Sequence, residues 1–169
     1  MKKNLVLLGM MAVGKTTIGK IVAKKQGFEF IDIDTNIEKK HSMKISEIFN
    51  KKGEVFFRNE EEKEVLKSLK KKNCLISLGG GAFINKTIRN NILKDSISIW
   101  LEVSLKTLYQ RVKSNKKRPL LYDGNAEEKI NRLYSERKNI YKLANYKINC
   151  KNLNKENIAK KIIDLYAKN

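Results

Sequence analysis

A short glycine-containing segment near the start of the chain constrains its fold most strongly. Residues 9–16 read GMMAVGKT and match G-x-x-x-x-G-K-[ST], the pattern of a phosphate-binding loop. The motif works only between a buried strand and a helix, because its backbone N–H groups and the helix N-terminus must point together at an anion. Apolar residues 5–8 predict that strand, and the helical spacing of apolar residues within 16–26 predicts that helix. The segment therefore predicts an α/β chain with a nucleotide site at the end of its first strand.

The same loop indicates how a nucleotide is held. The Lys15 ammonium is placed to neutralise the β- and γ-phosphates, and the Thr16 hydroxyl is placed to bind Mg²⁺. A degenerate loop that no longer binds nucleotide is the alternative, but the presence of both side chains argues against it. We assign nucleotide binding to Gly9, Ala12, Val13, Gly14, Lys15, Thr16 and Thr17.

Apolar runs alternate with helical patterns along the rest of the chain. Strands separated by helices favour a parallel sheet covered on both faces, in which ligands bind beyond the carboxyl ends of the strands. The length fits one domain that spans residues 1–169. The predicted strands are residues 5–8, 28–31, 75–78, 97–101 and 147–149. The predicted helices are residues 16–26, 35–41, 44–51, 55–70, 86–93, 105–113, 127–144 and 154–167, with Asn154 as the N-cap of the last.

The net charge of +19 raises the question of a nucleic-acid partner. Most of the basic residues are lysines spread along the whole chain, and no basic stripe is interleaved with aromatic residues that stack on bases. Nucleic-acid binding is therefore kept only as an alternative of a different functional class.

No apolar run approaches the roughly 18 residues of a membrane span, so no membrane partner is expected. The two cysteines, Cys74 and Cys150, are expected to be reduced thiols of a cytoplasmic protein, and His41 is interpreted as a surface residue.

Two carboxylates follow the second predicted strand. Asp32 and Asp34 are separated by one residue, so strand alternation places both on the same side of the strand end. By themselves they are explained as a helix N-cap with a solvated neighbour. Beside a phosphate-binding loop, the pair instead supplies what phosphoryl transfer needs. One carboxylate can hold Mg²⁺, and the other can orient or deprotonate an acceptor hydroxyl.

A second group of residues has the chemistry of a carboxylate receptor. Arg58 opens a long predicted helix, where its guanidinium can bind a carboxylate through two parallel hydrogen bonds. The alternative is a surface ion pair with Glu61 or Glu62. The three glycines at 79–81 exceed the one or two that a tight turn needs, and favour a close approach of the backbone to a ligand. Arg137, taken alone, is typical of a solvated helix.

One polar segment without apolar periodicity, residues 113–125, predicts a mobile lid. It contains the only proline, and Arg118 stands immediately before that proline. An arginine on a closing loop can bring positive charge to a transferred phosphoryl group and exclude water. An ordinary surface connection is the alternative.

Together these motifs resemble those of the shikimate kinases, over nearly the whole chain. The phosphate-binding loop is generic, whereas the combination of the other motifs is specific to that family. The resemblance implies a three-layer α/β/α P-loop kinase fold with a lid and a five-stranded parallel sheet in the order 2-3-1-4-5. It also implies Mg²⁺-dependent transfer of the ATP γ-phosphoryl group to the 3-hydroxyl of shikimate, on the route to chorismate and aromatic amino acids. The matching motifs are residues 9–16, Asp32-x-Asp34, Phe57-Arg58-x-x-Glu61, residues 79–81, RPLL at 118–121 and Arg137-x-x-x-Tyr141.

The resemblance implies a role for each matching residue. Asp32 holds the metal through water together with Thr16, and the substrate-binding segment covers about residues 32–62. Arg111 stacks on adenine, and a poor match at 150–154 lies beside it. The residues implied in catalysis are Asp34, Lys15 and Arg118. Those implied in shikimate binding are Asp34, Arg58, Gly80, Gly81 and Arg137, with Phe49 and Phe57 as pocket walls.

The loop departs from the common family pattern at two positions. Many members have glycine where Ala12 stands and a small residue where Val13 stands. If position 12 requires a positive φ, alanine there costs roughly 1 kcal/mol.

The alternative within the same chemistry is another P-loop sugar-acid kinase, such as a gluconate kinase. The expected partners are shikimate and ATP, bound by a monomer.

Overall fold

The computed structural model describes residues 3–114 and 125–169 of the chain. Its strands are β1 (Asn4–Leu8), β2 (Glu29–Asp32), β3 (Cys74–Ser77), β4 (Ser96–Glu102) and β5 (Tyr146–Asn149). They form one sheet in the order β2-β3-β1-β4-β5, and every pairing is parallel. All residues of the central strand β1 are buried, as expected for a strand covered by helices on both sides. The α/β class and the three layers predicted from the sequence are confirmed, and so is the strand order that the resemblance implies.

The helices separate the strands. They are α1 (Lys15–Gln26), α2 (Ile33–His41), α3 (Ile45–Leu69), α4 (Lys86–Asp95), α5 (Leu105–Ser114), α6 (Ala126–Tyr141) and α7 (Lys155–Ala167), with a short 3₁₀ helix at Ala82–Ile84. Asn154 caps α7 by accepting a hydrogen bond from the Asn157 N–H at 2.8 Å, as predicted. Across residues 3–114 and 125–169, every helix is too short or too polar to cross a lipid bilayer.

The long helix α3 differs from the prediction of two separate helices at 44–51 and 55–70. The two segments are joined into one element, and the backbone departs from helical geometry at Gly53, with φ 82° and ψ 167°. Glycine adopts this positive φ without the steric cost that a side chain brings. The predicted break is therefore present as a kink inside α3.

The placement of Asp34 also differs from the prediction. The helix α2 begins at Ile33, directly after β2, and Asp32 caps it by accepting a hydrogen bond from the Thr35 N–H at 3.1 Å. Asp34 therefore lies in the first helical turn, where its charge complements the helix dipole. The prediction that strand alternation sets its direction is wrong, because helical geometry replaces strand geometry after residue 32.

Three strand ends meet at one edge of the sheet. Asp32, at the end of β2, is the register partner of Ser77 in β3, and Ser77 is also the partner of Leu7 in β1. The phosphate-binding loop, the acidic pair and the three glycines all follow these strand ends. The register therefore brings the three predicted motifs to one place.

The buried core includes residues of β4 and both cysteines. Trp100 in β4 is 1% exposed, and both cysteines are buried and free, which confirms the expectation of reduced thiols.

Candidate active site

The phosphate-binding loop is wrapped around its own lysine. Lys15 Nζ donates hydrogen bonds to the carbonyl oxygens of Gly9 and Met10, at 2.8 and 2.9 Å. Gly9 and Gly14 have φ values of 140° and 104°, which side chains rarely adopt. The lysine ammonium thus lies over the turn of the loop, in front of the N-terminus of α1.

Ala12 has a φ of 60°, so position 12 does adopt the positive φ at which alanine is strained. An alanine in the left-handed region carries a steric cost of roughly 1 kcal/mol relative to the right-handed one. Arg111, from α5, donates from Nη1 to the carbonyl oxygens of Ala12 and Val13, at 3.2 and 3.0 Å. This arginine therefore braces the strained part of the loop, a contact that the sequence did not predict.

Asp32 contacts α1, the helix that follows the phosphate-binding loop. The Thr16 hydroxyl donates to Asp32 Oδ2 at 2.7 Å, while Asp32 Oδ1 is occupied by the helix cap. The N-cap interpretation and the metal-ligand interpretation of Asp32 are therefore compatible, because each uses a different oxygen. In the described part of the chain, no group of three or more His, Cys, Asp or Glu side chains is arranged to hold a metal ion.

The three glycines are the centre of a second cluster. A Cβ built on Gly79 would lie 2.8 Å from Asp34 Oδ1 and 2.7 Å from Glu61 Oε1. Both distances are shorter than real Cβ contacts. The absence of a side chain at Gly79 therefore lets two carboxylates approach the backbone at the end of β3.

The next two glycines are approached by arginines. A Cβ on Gly80 would lie 3.2 Å from Arg137 Nη1, and one on Gly81 would lie 2.6 Å from Arg58 Nη1. The N–H groups of Gly80 and Gly81 donate to no acceptor within residues 3–114 and 125–169. Two guanidinium groups and two available backbone donors thus line one turn, which is the composition of a carboxylate receptor.

Arg58 is also part of an ion pair. Its Nη1 donates to Glu61 Oε2 at 2.7 Å, and its Nη2 lies 3.3 Å from Glu54 Oε1. Burial lowers the pKa of the Arg58 guanidinium, but the charges and hydrogen bonds of Glu61 and Glu54 outweigh burial and raise that pKa overall. The side chain is 33% exposed, so the pairing proposed as an alternative exists and still leaves the guanidinium accessible.

The sequence predicted Glu61 only as an alternative surface partner of Arg58 and gave it no role in the site. Its side chain is 2% exposed, and Oε1 is buried without a hydrogen-bond partner in the described structure. Burial raises the pKa of the Glu61 carboxyl, Arg58 and Arg137 oppose this effect, and Asp34 adds to it. Four charged side chains from α2, α3 and α6 therefore act on one another. The spacing Arg58-x-x-Glu61 on a helix was the available signal.

Two aromatic rings adjoin this cluster. Phe49 and Phe57 pack with ring centroids 4.7 Å apart, and the Arg58 guanidinium lies 5.2 Å from the Phe57 centroid. Their role as pocket walls stays a prediction. Arg118 and residues 115–124 of the predicted lid lie outside the described residues, and Lys113 belongs to the end of α5.

A buried carboxylate fastens α2, which carries Asp34, to α3, which carries Arg58. Glu60 has a 7% exposed side chain and accepts hydrogen bonds from His41 Nε2 at 2.8 Å and from Lys63 Nζ at 3.1 Å. The interpretation of His41 as a surface residue is wrong, because its side chain is only 15% exposed and packs against the Phe56 ring. Lys40 completes the set of donors to Glu60.

Glu60→Gln is expected to lower the free energy of unfolding at pH 7 by about 1–3 kcal/mol. Hydrogen bonds from Lys40 and His41 lower the pKa of Glu60 to about 2, from an ordinary value of 4.5. The stabilisation is therefore complete above pH 4.5 and disappears as the pH falls toward 2. Urea unfolding at pH 7 and pH 3 measures it, and the difference between wild type and variant should shrink at the lower pH.

Glu136→Gln is the matched control, since Glu136 is 59% exposed and 3.7 Å from its partner Arg132. We expect a change within about 0.5 kcal/mol for this variant. An equal effect of both substitutions at pH 7 would show that Glu60 does not fasten the two helices.

Comparisons with known proteins agree with this geometry. The family model for shikimate kinase matches residues 11–167 of the chain. A shikimate kinase from a Sulfurihydrogenibium species is 42% identical over 161 residues, covering 95% of this chain and 96% of the relative. The solved structure of a shikimate kinase from Acinetobacter baumannii in complex with shikimate superimposes with a TM-score of 0.93 at 34% identity, over 98% of this chain and 93% of the other.

A gluconokinase from Sinorhizobium meliloti has a similar fold but little sequence identity with this chain. It superimposes with a TM-score of 0.62 at 11% identity, over 99% of this chain and 93% of its own. That likeness concerns the P-loop kinase fold and not the acceptor site, whereas the family model and the 42% identical relative cover nearly the whole chain. The chain belongs to the shikimate kinase family.

Proposed function

We propose that this protein transfers the γ-phosphoryl group of ATP to the 3-hydroxyl of shikimate, on the route to chorismate and aromatic amino acids. One new bond forms between the acceptor oxygen and the γ-phosphorus, and the bond from that phosphorus to the β–γ bridging oxygen breaks. The products are shikimate 3-phosphate, ADP and the hydroxyl proton. The observation that carries this proposal is the pair of guanidinium groups at Gly80 and Gly81, beside a carboxylate and next to a phosphate-binding loop.

The carboxylate of the acceptor is held by Arg58 and Arg137. Both guanidinium groups border the glycine turn, and each can form two parallel hydrogen bonds with a carboxylate. The N–H groups of Gly80 and Gly81 add donors that need no rearrangement. Phe49 and Phe57 cover the apolar side of the ring. Gluconate shares the carboxylate but not the rigid ring, so it fits this receptor less well.

The acceptor hydroxyl is oriented or deprotonated by Asp34. Oδ1 of this carboxylate lies 2.8 Å from the position of a Gly79 Cβ, beside the same turn that the arginines border. A rigid acid whose carboxylate is fixed at Gly81 thus presents its hydroxyl groups to a nearby carboxylate. Positioning of this kind supplies most of the catalysis in phosphoryl transfer.

The phosphates of ATP are held by residues 9–17 and the N-terminus of α1. Lys15 stabilises negative charge on the transferred group, and Arg118 brings a second positive charge with the lid. Arg111, anchored on the loop carbonyls, stacks on adenine.

Thr16 and Asp32 fit a magnesium site. Their oxygens lie 2.7 Å apart beside the loop, and Mg²⁺ is commonly bound through one or two protein oxygens, substrate phosphates and water. The bound ion would neutralise phosphate charge during transfer. The remaining parts of the proposal are a single domain acting as a cytoplasmic monomer, without nucleic-acid or membrane partners.

A coupled assay of ADP release with ATP and Mg²⁺ tests the function. Shikimate should support turnover at a kcat/KM at least about 100-fold above that of gluconate. Gluconate lacks the rigid ring, and the loss of the contacts that the site makes with this ring costs several kcal/mol. Turnover with shikimate should survive added salt, unlike binding to a phosphate backbone. Preference for gluconate would overturn the assignment of the acceptor.

A further inference from the structure

Tyr141, at the end of α6, is buried and contacts the glycine turn. Its side chain is 1% exposed, and its hydroxyl donates a short hydrogen bond to the carbonyl oxygen of Gly80. The ring packs against Trp100 with centroids 5.8 Å apart. A buried phenol with a fixed ring thus holds one carbonyl in the middle of the acceptor site.

The Gly80 carbonyl and the Gly81 N–H belong to the same peptide group. All peptide bonds in the described chain are trans, so the N–H points away from the carbonyl and therefore away from the tyrosine. Fixing the carbonyl oxygen fixes the direction of the Gly81 donor as well. This donor is one of those available for a carboxylate.

The turn needs such a restraint because glycines flank this peptide on both sides. Without side chains, the φ and ψ angles around the Gly80–Gly81 peptide meet little steric resistance, and the peptide can rotate at low cost. A rotated peptide would present an oxygen instead of an N–H to the substrate carboxylate. That orientation is repulsive for an anion.

The same tyrosine lies one helical turn after Arg137. Residues four apart on a helix share a face, and Arg137 Nη1 lies 3.2 Å from the Gly80 Cβ position. Burial raises the pKa of the Tyr141 hydroxyl, and the nearby Arg137 opposes this effect. At neutral pH the phenol therefore keeps its proton, which the hydrogen bond to Gly80 requires.

We propose that Tyr141 is a positioning residue for acceptor binding: its hydroxyl locks the Gly80–Gly81 peptide so that the Gly81 N–H faces the substrate carboxylate. The proposal rests on the function given above and adds a residue that does not itself touch the substrate. Its effect is largest for the carboxylate, because an anion distinguishes an N–H from a carbonyl oxygen more strongly than a neutral ester does.

Tyr141→Phe tests this proposal, because it removes one oxygen and keeps the buried ring. Tyr166→Phe is the matched control, since Tyr166 is also buried and its hydroxyl donates to a backbone carbonyl, that of Lys3, at 2.7 Å. Each protein is assayed with shikimate and with its methyl ester, whose carboxyl group carries no charge. Shikimate affinity is also measured without turnover by titration calorimetry, after circular dichroism has verified folding.

We expect Tyr141→Phe to raise the KM and Kd for shikimate by about 10-fold, the scale of one hydrogen bond to a charged group. The KM for ATP should stay within about twofold, and the effect on the methyl ester should be less than about threefold. Tyr166→Phe should leave all these values unchanged. An equal loss with both acceptors, or no loss with shikimate, would overturn the role of Tyr141 while leaving the function intact. A wild-type protein inactive with shikimate would overturn both.

Discussion

Asparagine in place of Asp34 is expected to lower kcat by about 10²- to 10⁴-fold, the usual range for loss of a general base. The amide has nearly the same shape and can still accept a hydrogen bond from a substrate hydroxyl, so the KM for shikimate should change far less. It cannot accept the proton that the hydroxyl loses. Because the Asp34 charge contributes to the raised pKa of Glu61, its removal should also make Glu61 a stronger acid. Steady-state kinetics with both substrates measures the first effect.

Asp164→Asn is the control for this substitution, because Asp164 is an exposed residue of α7. It should leave kcat unchanged. Retention of wild-type kcat by the Asp34 variant would remove that carboxylate from the chemistry, whatever its position beside Gly79.

Arg58→Ala is expected to raise the KM for shikimate by about 100-fold while the KM for ATP stays within about twofold. The substitution removes a charged, two-pronged hydrogen-bond donor from the substrate carboxylate, a loss of about 2–5 kcal/mol. It also leaves the buried Glu61 without its partner at 2.7 Å. Arg58→Lys separates the two effects, because it keeps a positive charge near Glu61 but loses the fork geometry. Its KM for shikimate should rise by about 10-fold or more with little loss of stability.

Arg132→Ala provides the control on α6, where the Arg132 side chain is 71% exposed. No change in either KM is expected. If Arg58→Ala weakened ATP and shikimate to the same extent, the guanidinium would belong to the phosphate site rather than to the carboxylate receptor.

The parts of the site that follow strand ends could be predicted from the sequence. The phosphate-binding loop has a fixed pattern and context, and the three glycines at 79–81 exceeded what a turn needs. Local patterns of this kind reflect backbone requirements, which act over a few residues. The same holds for Asn154 as a helix cap.

The parts of the site that depend on contacts between residues distant in sequence could not be predicted in this way. Glu60 and Glu61 are adjacent in sequence, yet one faces His41 on α2 and the other faces Arg58 and the glycine turn. The Arg58-x-x-Glu61 spacing indicates an ion pair on α3, but the local pattern does not show that Glu61 is buried while Glu54 on the same helix is exposed. The contact of Arg111 with the loop carbonyls spans 98 residues, and that of Tyr141 with Gly80 spans 61. Such pairs are set by tertiary packing.

A crystal structure with shikimate and a non-hydrolysable ATP analogue tests the arrangement of the acceptor site most directly. We expect the shikimate carboxylate within hydrogen-bonding distance of both Arg58 and Arg137, and its 3-hydroxyl beside Asp34, facing the γ-phosphate. A bound shikimate with its carboxylate away from both guanidinium groups would contradict the receptor on which the proposed mechanism depends.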